Sequence, residues 1–503
     1  MSRPRRAVGV LALSLSVLLL GGCFAAPDDG AGGSDRVGVA MLLPPRSGLS
    51  PFSDDAFKLS RWRTAETLVA LDADANARPM LATEWSRVAP TTWRFALREG
   101  VTFHDGTPLT AEHVAAVLTR ATQASPPPRI LDGVELTARA DGASVLVSTA
   151  TPDPLVPQRL SSPQLSILAP AAYGEGGRVD PVGHGTGPFR LTAVNGTSSA
   201  TLDRHDGYWG EPARVAGIDV DFVPDGTART AALRTGTADV VEAIPPGQVP
   251  LVDPALVHEV PMPRTNTLYL NTARGPFADP AVRAAARAAI DRAALVARGY
   301  EGRADEAEGL LGPALRWAAP LRDDPAYARA LAARPAPAPV DGVPITLGTF
   351  TDRSELPEVA VLLEQQLEAA GFVVTQDVRE YAAIEADALD GAFDAFVLSR
   401  ATVLDSGDPV AYMTSDFGCG GGFNISQFCA PGVQSALDRA ARTDVGPQRR
   451  AATIRAEAAI LAADAAVPLL HERVIQGESA RVDGVARDPR ERDLITTATT
   501  VAP

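Results

Sequence analysis

The stretch that decides the fold is WRFALREGVTFHDGTPLTAEHV, residues 93–114. Residues 93–98 alternate in polarity, which is typical of a half-buried β-strand. Asp105-Gly106 supplies the turn that ends the next short strand. Thr110 is a suitable N-cap, and apolar side chains recur after it at helical spacing. The stretch therefore predicts a strand, a turn and a capped helix.

Outward from this stretch, strands and helices are mixed in both halves of the chain. Further strands are predicted at 143–149, 189–194, 218–223, 267–271, 345–350, 372–378, 393–398 and 468–475. Further helices are predicted at 280–298 (after the Asp279-Pro280 start signal), 355–370 and 448–464. This order predicts an α/β fold of the mixed α+β kind.

The first residues, 1–22, are predicted to be a lipoprotein signal peptide. Arginines precede a largely apolar run over 7–20, which is too short to remain as a membrane span. Gly21-Gly22-Cys23 follows and resembles the lipobox at which bacterial lipoproteins are cleaved and acylated. Cys23 is thus the predicted lipidation site, and 23–36 is a flexible tether. An ordinary signal peptide with a chance cysteine is the alternative.

Length and charge limit the class of protein. A chain of 503 residues exceeds what one core holds, so at least two lobes are expected. The formal net charge of -15 disfavours a nucleic-acid partner, because phosphate binding needs basic patches. No second apolar segment approaches about eighteen residues, so the lipid is the predicted membrane attachment.

Signatures of common enzyme classes do not occur in the sequence. Lys58 is the only lysine and follows no glycine, which rules out a P-loop. His471-Glu472 lacks the second histidine of a zinc-protease motif, and there is no serine nucleophile elbow. We therefore expect no enzyme activity, no cofactor and no metal, although a triad built from distant segments would leave no such pattern.

Two cysteines remain after Cys23. Cys419 and Cys429 lie ten residues apart, and outside the cell such a pair is predicted to form a disulfide. A reactive dithiol is the alternative, which the absence of a Cys-x-x-Cys arrangement disfavours. Zinc would lack further ligands here.

Several stretches together resemble the extracellular solute-binding proteins of family 5, the peptide-, dipeptide-, oligopeptide- and nickel-binding proteins of ATP-binding-cassette importers. The matching stretches are 79–85, 93–114, 185–189, 208–209, 232–240 and 270–283. The resemblance implies a two-lobed fold like that of the periplasmic binding proteins, of class II and cluster C type, with a hinge and an extra subdomain in lobe I. It also implies a monomer that holds its solute between the lobes and delivers it to a transmembrane permease.

The resemblance also implies where the lobes begin and end. Lobe I is expected over 37–265, with its subdomain Ib at about 62–178. Lobe II follows over 266–470, and 471–503 returns to lobe I. Such a protein works outside the cytoplasm, here on the outer face of the cell membrane.

Ligand chemistry is predicted in the segment 403–409. Asp405 stands three residues before Asp408-Pro409, the spacing at which peptide-binding members place the carboxylate that receives the ligand's ammonium group. A buried ammonium needs such a partner, because an unpaired buried charge costs about 3–5 kcal/mol. The alternative is that Asp405 and Asp408 cap a Ser-Gly turn.

Four other residues are candidates for the ligand site. Arg353 follows a predicted strand where some dipeptide binders hold the ligand carboxylate, and a solvated surface role is the alternative. Trp317, Tyr412 and Phe423 are predicted to wall the cleft, with plain core packing as the alternative.

A short peptide is the predicted ligand. The alternatives are a nickel chelate, haem, an opine or an oligosaccharide, or a role as a peptide-sensing surface receptor.

Overall fold

The structure, a computed structural model, describes residues 35–353, 355–403 and 406–502. The predicted signal peptide, the lipidation site Cys23 and most of the tether lie outside the described residues, as does Asp405.

Helices and strands alternate along the described part of the chain. The helices are α1 (Ala56–Arg61), α2 (Ala111–Gln123), α3 (Val156–Arg159), α4 (Gly226–Thr235), α5 (Pro280–Ala289), α6 (Arg292–Gly299), α7 (Ala318–Arg322), α8 (Pro325–Ala332), α9 (Glu355–Ala369), α10 (Tyr381–Leu389), α11 (Val410–Phe417), α12 (Pro431–Arg442) and α13 (Pro447–Ala462). The strands are β1 (Arg36–Met41), β2 (Val69–Leu71), β3 (Ala77–Pro79), β4 (Ala82–Ala89), β5 (Thr92–Leu97), β6 (Leu136–Asp141), β7 (Ser144–Thr149), β8 (Phe189–Asn195), β9 (Ser199–Arg204), β10 (Gly217–Phe222), β11 (Val240–Val241), β12 (Val257–Leu270), β13 (Ala304–Glu306), β14 (Val343–Phe350), β15 (Phe372–Arg379), β16 (Ala395–Ala401), β17 (Ala466–Glu478), β18 (Val482–Asp483) and β19 (Thr500–Val501).

The stretch 93–114 folds as its pattern predicts. Phe95 of β5 is fully buried, and β5 pairs with β4 and β7 in a small antiparallel sheet of order β4-β5-β7-β6. α2 packs on this sheet and begins after Thr110, whose hydroxyl accepts a hydrogen bond from the N–H of His113 at 3.3 Å. The small sheet and its helix lie in the region expected to form subdomain Ib.

One large mixed sheet runs through both lobes. Its strand order is β15-β14-β16-β12-β17-β11-β1-β10-β9-β8, with β13 paired to β17. β14 runs parallel to β15 and β16, whereas β12 runs antiparallel to β16 and β17. The mixed α/β class is therefore confirmed.

Helices cover both faces of the sheet in lobe II. Helices α5, α6 and α9 bury one apolar cluster on the first face. Helices α7, α8 and α10–α13 bury another on the opposite face. Because β14 and β16 run parallel, their carboxyl ends lie at the same edge of the sheet, and the loops after them are positioned together there.

Two long strands, β12 and β17, join the lobes side by side. Residues 257–261 of β12 pair with 473–477, and residues 265–269 pair with 466–471. The register shifts between Pro261 and Thr265, where the paired strands pass from one lobe to the other. The predicted lobe boundaries near 265 and 470 fall inside these strands and stay a prediction.

The single helix predicted over 280–298 is wrong in one respect. α5 ends at Ala289, and α6 begins after Asp291, whose carboxylate accepts a hydrogen bond from the N–H of Ala294 at 3.0 Å. The apolar spacing continues across this break and hides it. The cap at Asp291 is the physical reason that a second helix starts.

Candidate ligand-binding cleft

A small cavity lies where lobe I meets the loop after β16. Lobe I lines it with residues 74–76 and Leu155, and lobe II lines it with Trp317, Gly407 and Arg450. The free volume is about 30 Å³, which is room for one or two water molecules. The two lobes are therefore almost in contact at this point.

Gly407 allows this close approach. Its φ is +71°, in the left-handed region that glycine adopts without strain. A Cβ atom at this position would lie 2.7 Å from Cδ1 of Leu71 and 2.8 Å from Cβ of Ala75, both in lobe I. With a larger residue at this position, either these side chains or the loop itself must move.

The substitution Gly407→Val is expected to weaken ligand binding by about tenfold or more, because holding the lobes apart costs closure energy and each 1.4 kcal/mol is tenfold. Calorimetric titration with a ligand of the wild type measures this loss. Gly420→Val is the matched control, because Gly420 has a similar φ of +79° but open space around its Cβ position. Equal losses in both variants would contradict the steric argument.

Asp408 holds the loop to the body of lobe II. Its carboxylate accepts hydrogen bonds from Nε and Nη2 of Arg449 at 2.6 and 3.0 Å, and from the N–H of Val410 at 3.0 Å. The Arg449 side chain is 3% exposed and also donates to three carbonyl groups at the end of α12. Asp408 therefore ties the loop to α13 and to the start of α11.

Polar contacts cross between the lobes around the cavity. Arg450 donates to the carbonyl oxygen of Asp74 at 2.8 Å and to Oδ1 of Asn76 at 3.2 Å. Arg87 of β4 forms an ion pair of 2.5 Å with Asp444. These contacts need both lobes in place, so they belong to the closed arrangement.

Trp317 is the predicted aromatic residue that the structure brings to the cavity. It lines the lobe II side, and Arg450 lies 5.6 Å from its ring centroid.

Beside the cavity runs a larger groove of about 530 Å³. The groove is lined by Ala77, Trp85, Arg87, Trp93, Pro154, Pro157, Gln158, Asp444 and Val445.

Tyr412 and Phe423 lie in the core under the loop and do not line this cavity. Tyr412 is 6% exposed. Phe423 packs beneath the guanidinium of Arg400, which is 4.0 Å from its ring centroid. Arg400 in turn forms an ion pair of 2.8 Å with the fully buried Asp416. Sequence reasoning missed this pair, because no local pattern links the two residues.

The cystine loop fixes the position of Phe423. The structure contains the predicted Cys419–Cys429 disulfide, with Cα atoms 4.6 Å apart. The N–H of Phe423 donates to the carbonyl oxygen of Ser415 in α11 at 3.1 Å. The loop therefore packs on the helix that follows the 406–409 segment.

Arg353 lies on the opposite face of the lobe II sheet and already carries two carboxylates. Its guanidinium donates to Glu355 at 2.9 Å and to Glu472 at 2.7 Å. Burial raises the pKa of Glu472, but Arg353 and Arg264 outweigh this effect and hold that pKa below its usual value. Asn266 and Tyr300 also donate to Glu472. Arg353 is thus an internal ion-pair partner rather than a solvated surface residue.

The described residues include no helix long and apolar enough to cross a membrane. They also include no group of three or more histidine, cysteine, aspartate or glutamate side chains arranged to hold a metal ion.

Two lobes, joined by paired strands and meeting at a lined cleft, define the class of this protein as a periplasmic-type binding protein. Structural neighbours agree over 93% of the chain. The nickel ABC transporter protein from Bacillus halodurans has a TM-score of 0.76, with 24% identity and 99% of its own chain covered. DppA from Helicobacter pylori, in complex with the peptide STSA, has a TM-score of 0.72, with 20% identity and 99% covered.

The family follows from the sequence match. Residues 76–424 match the model of the bacterial extracellular solute-binding proteins, family 5, and the chain belongs to this family. The glutathione-binding protein GsiB of Escherichia coli K12 is 29% identical over 390 residues, which cover 74% of this chain and 73% of that protein. The family supplies the solute-binding components of ABC importers. Such proteins act outside the cytoplasm, work with a membrane permease and are not enzymes.

Proposed function

We propose that the protein captures short peptides between its lobes and delivers them to its permease, while a lipid on Cys23 anchors it to the outer face of the membrane. The observation that carries the proposal is the 406–409 loop. The Asp408–Arg449 pair fixes this loop at the cavity between the lobes, and the loop directly follows Asp405.

The relatives support a peptide as the ligand. GsiB is a glutathione-binding protein, and the DppA neighbour holds the peptide STSA. Both ligands carry a free ammonium group and a free carboxylate. A cleft that closes over such a molecule needs a countercharge for each end, because water no longer solvates them.

A ligand screen tests the peptide proposal. Binding to the folded state raises its stability by RT ln(1 + [L]/Kd), so thermal shifts detect a ligand of unknown identity. The mature chain is heated with pools of di- to pentapeptides, nickel chelates, sugars and haem. A shift with peptides alone, lost when the peptide is N-acetylated, is the expected result. A shift with a chelate or a sugar, and none with peptides, would assign the protein to another small solute.

Asp405→Asn is expected to weaken peptide binding roughly tenfold or more, because one buried charge partner of the ligand ammonium is lost. The thermal midpoint of the empty protein should stay nearly unchanged. Titration of both proteins with the same peptide measures the effect. The exposed Asp390 supplies the control Asp390→Asn. Equal affinity in Asp405→Asn and wild type would remove Asp405 from the site.

Cys23→Ser is expected to release the protein from the membrane, since acyl chains on this residue contribute about 0.8 kcal/mol per buried methylene. Fractionation of cells that express each form, followed by detergent partitioning, measures the release. A variant that stays in the membrane fraction would show that another segment anchors the chain.

A further inference from the structure

Arg264 occupies the point where the paired strands pass between the lobes. It lies in β12 at the register shift, opposite Ala401 of β16. Its side chain is partly buried. Within residues 35–353, 355–403 and 406–502, no hydrogen bond or ion pair reaches its guanidinium.

The other arginines of lobe II that border the loops are already paired. Arg353 holds Glu355 and Glu472, Arg400 holds Asp416, and Arg449 holds Asp408. Each of these guanidinium groups meets its carboxylate at 2.6–2.9 Å. Arg264 differs from them in having no such partner in the described part of the chain.

Charges from both lobes surround Arg264. Arg353 and Glu472 act on it from lobe II, and Glu491 and Arg129 act on it from lobe I. Burial and Arg353 together lower the pKa of its guanidinium, which means that the site disfavours the charge it carries. The charge of Glu472 acts on Arg264, but that carboxylate accepts its guanidinium hydrogen bond from Arg353.

Thr402, the residue after β16, lies beside Pro263, which directly precedes Arg264 in the chain. The N–H of Thr402 donates to the carbonyl oxygen of Pro263 at 2.8 Å, one residue before Arg264. The same segment continues to the loop that carries Gly407 and Asp408. Arg264 therefore lies next to Thr402, and Asp405 follows Thr402 three positions further along the chain.

We propose that Arg264 receives a carboxylate group of the bound ligand. This inference rests on the proposed peptide function and deepens it. The planar fork of a guanidinium binds a carboxylate through two parallel hydrogen bonds, and none of the described residues accepts a hydrogen bond from Arg264. Arg353 then serves as a positioning residue that holds Glu472, and the ligand carboxylate is assigned to its neighbour instead.

The position between the lobes gives this contact a role in closure. A carboxylate at Arg264 would also offset its repulsion with Arg353 of lobe II and Arg129 of lobe I. The ligand would then favour the closed arrangement over the open one, which is the condition for a solute to shift the equilibrium between them.

The test compares a peptide that binds the mature chain with its C-terminal amide, in wild type and in Arg264→Gln. Wild type is expected to bind the amide at least about tenfold more weakly than the free peptide, because removal of one partner of a buried charge pair has at least this effect. Arg264→Gln is expected to bind the free peptide at least about tenfold more weakly than wild type does. It should also bind the peptide and its amide equally.

Two further variants keep the test specific. Arg298→Gln removes an exposed arginine of lobe II and is expected to bind like wild type. Arg264→Lys keeps the positive charge but lacks the planar guanidinium. Its affinity for the free peptide is expected to fall between those of wild type and Arg264→Gln. The thermal midpoint of ligand-free Arg264→Gln should stay close to that of wild type, because no hydrogen bond among the described residues is lost.

Each other result would overturn the inference in a recognisable way. If amidation weakens binding equally in wild type and Arg264→Gln, the carboxylate is held elsewhere. If amidation does not change the affinity of wild type, the site does not bind the C-terminal carboxylate of the peptide. If no peptide binds wild type, the peptide function itself fails, and the inference fails with it.

Discussion

Asp408→Ala is expected to lower the free energy of unfolding by about 3–5 kcal/mol, because it leaves the buried guanidinium of Arg449 without its carboxylate. The hydrogen bond from the N–H of Val410, the first residue of α11, to Asp408 is lost at the same time. Chemical denaturation of the ligand-free protein measures the change.

A surface ion pair and a double variant serve as controls. Asp444→Ala breaks the exposed pair with Arg87 and should cost less than about 1 kcal/mol. The double variant Asp408→Ala/Arg449→Met removes both charges, and it should recover part of the loss. A double variant as unstable as the sum of the two single variants would contradict the argument that an unpaired buried charge is the cause.

The ligand-free protein is expected to lose stability as the pH falls from about 6.5 to 4. Burial lowers the pKa of His471 to about 3 and that of His104 to about 4. An unfolded histidine titrates near 6.5, so between these values the unfolded chain binds protons that the folded chain does not. Stability is therefore full above about pH 6.5 and decreases by roughly 3 kcal/mol per histidine on reaching pH 4.

Urea denaturation at a series of pH values measures this slope. His471→Gln removes one of these buried histidines, so between pH 6.5 and 4 its slope should be smaller than that of wild type. An unchanged slope in His471→Gln would show that carboxylates, and not this buried histidine, set the acid sensitivity.

Features that depend on neighbouring residues could be predicted from the sequence. The strand, the turn and the helix cap of 93–114 are each encoded by residues a few positions apart in the sequence. The structure contains all three. The family could be predicted for the same reason, because its motifs are local. The break at Asp291 was missed because a continuous apolar spacing and a new cap occur together there.

Features of the site that depend on residues far apart in the sequence could not be predicted from local patterns. The ligand role of Arg353 stays a prediction, and its partner Glu472 could not be predicted because it is 119 residues away in the sequence. Arg264 carries no motif, and only the folded structure shows that no hydrogen bond from the described residues reaches it. The close approach of Gly407 to Leu71 and Ala75 of lobe I likewise depends on contacts across the cleft.

The C-terminal segment has a consequence for how the protein is made. Val485, Leu494 and Ile495 are buried in the same apolar cluster as Val37 of β1, so this core joins the two ends of the described chain. A nascent chain cannot complete that core until the last part of its sequence has been synthesised. Lobe I therefore stays incomplete until late in translation, which suits a polypeptide that must cross a membrane before it folds.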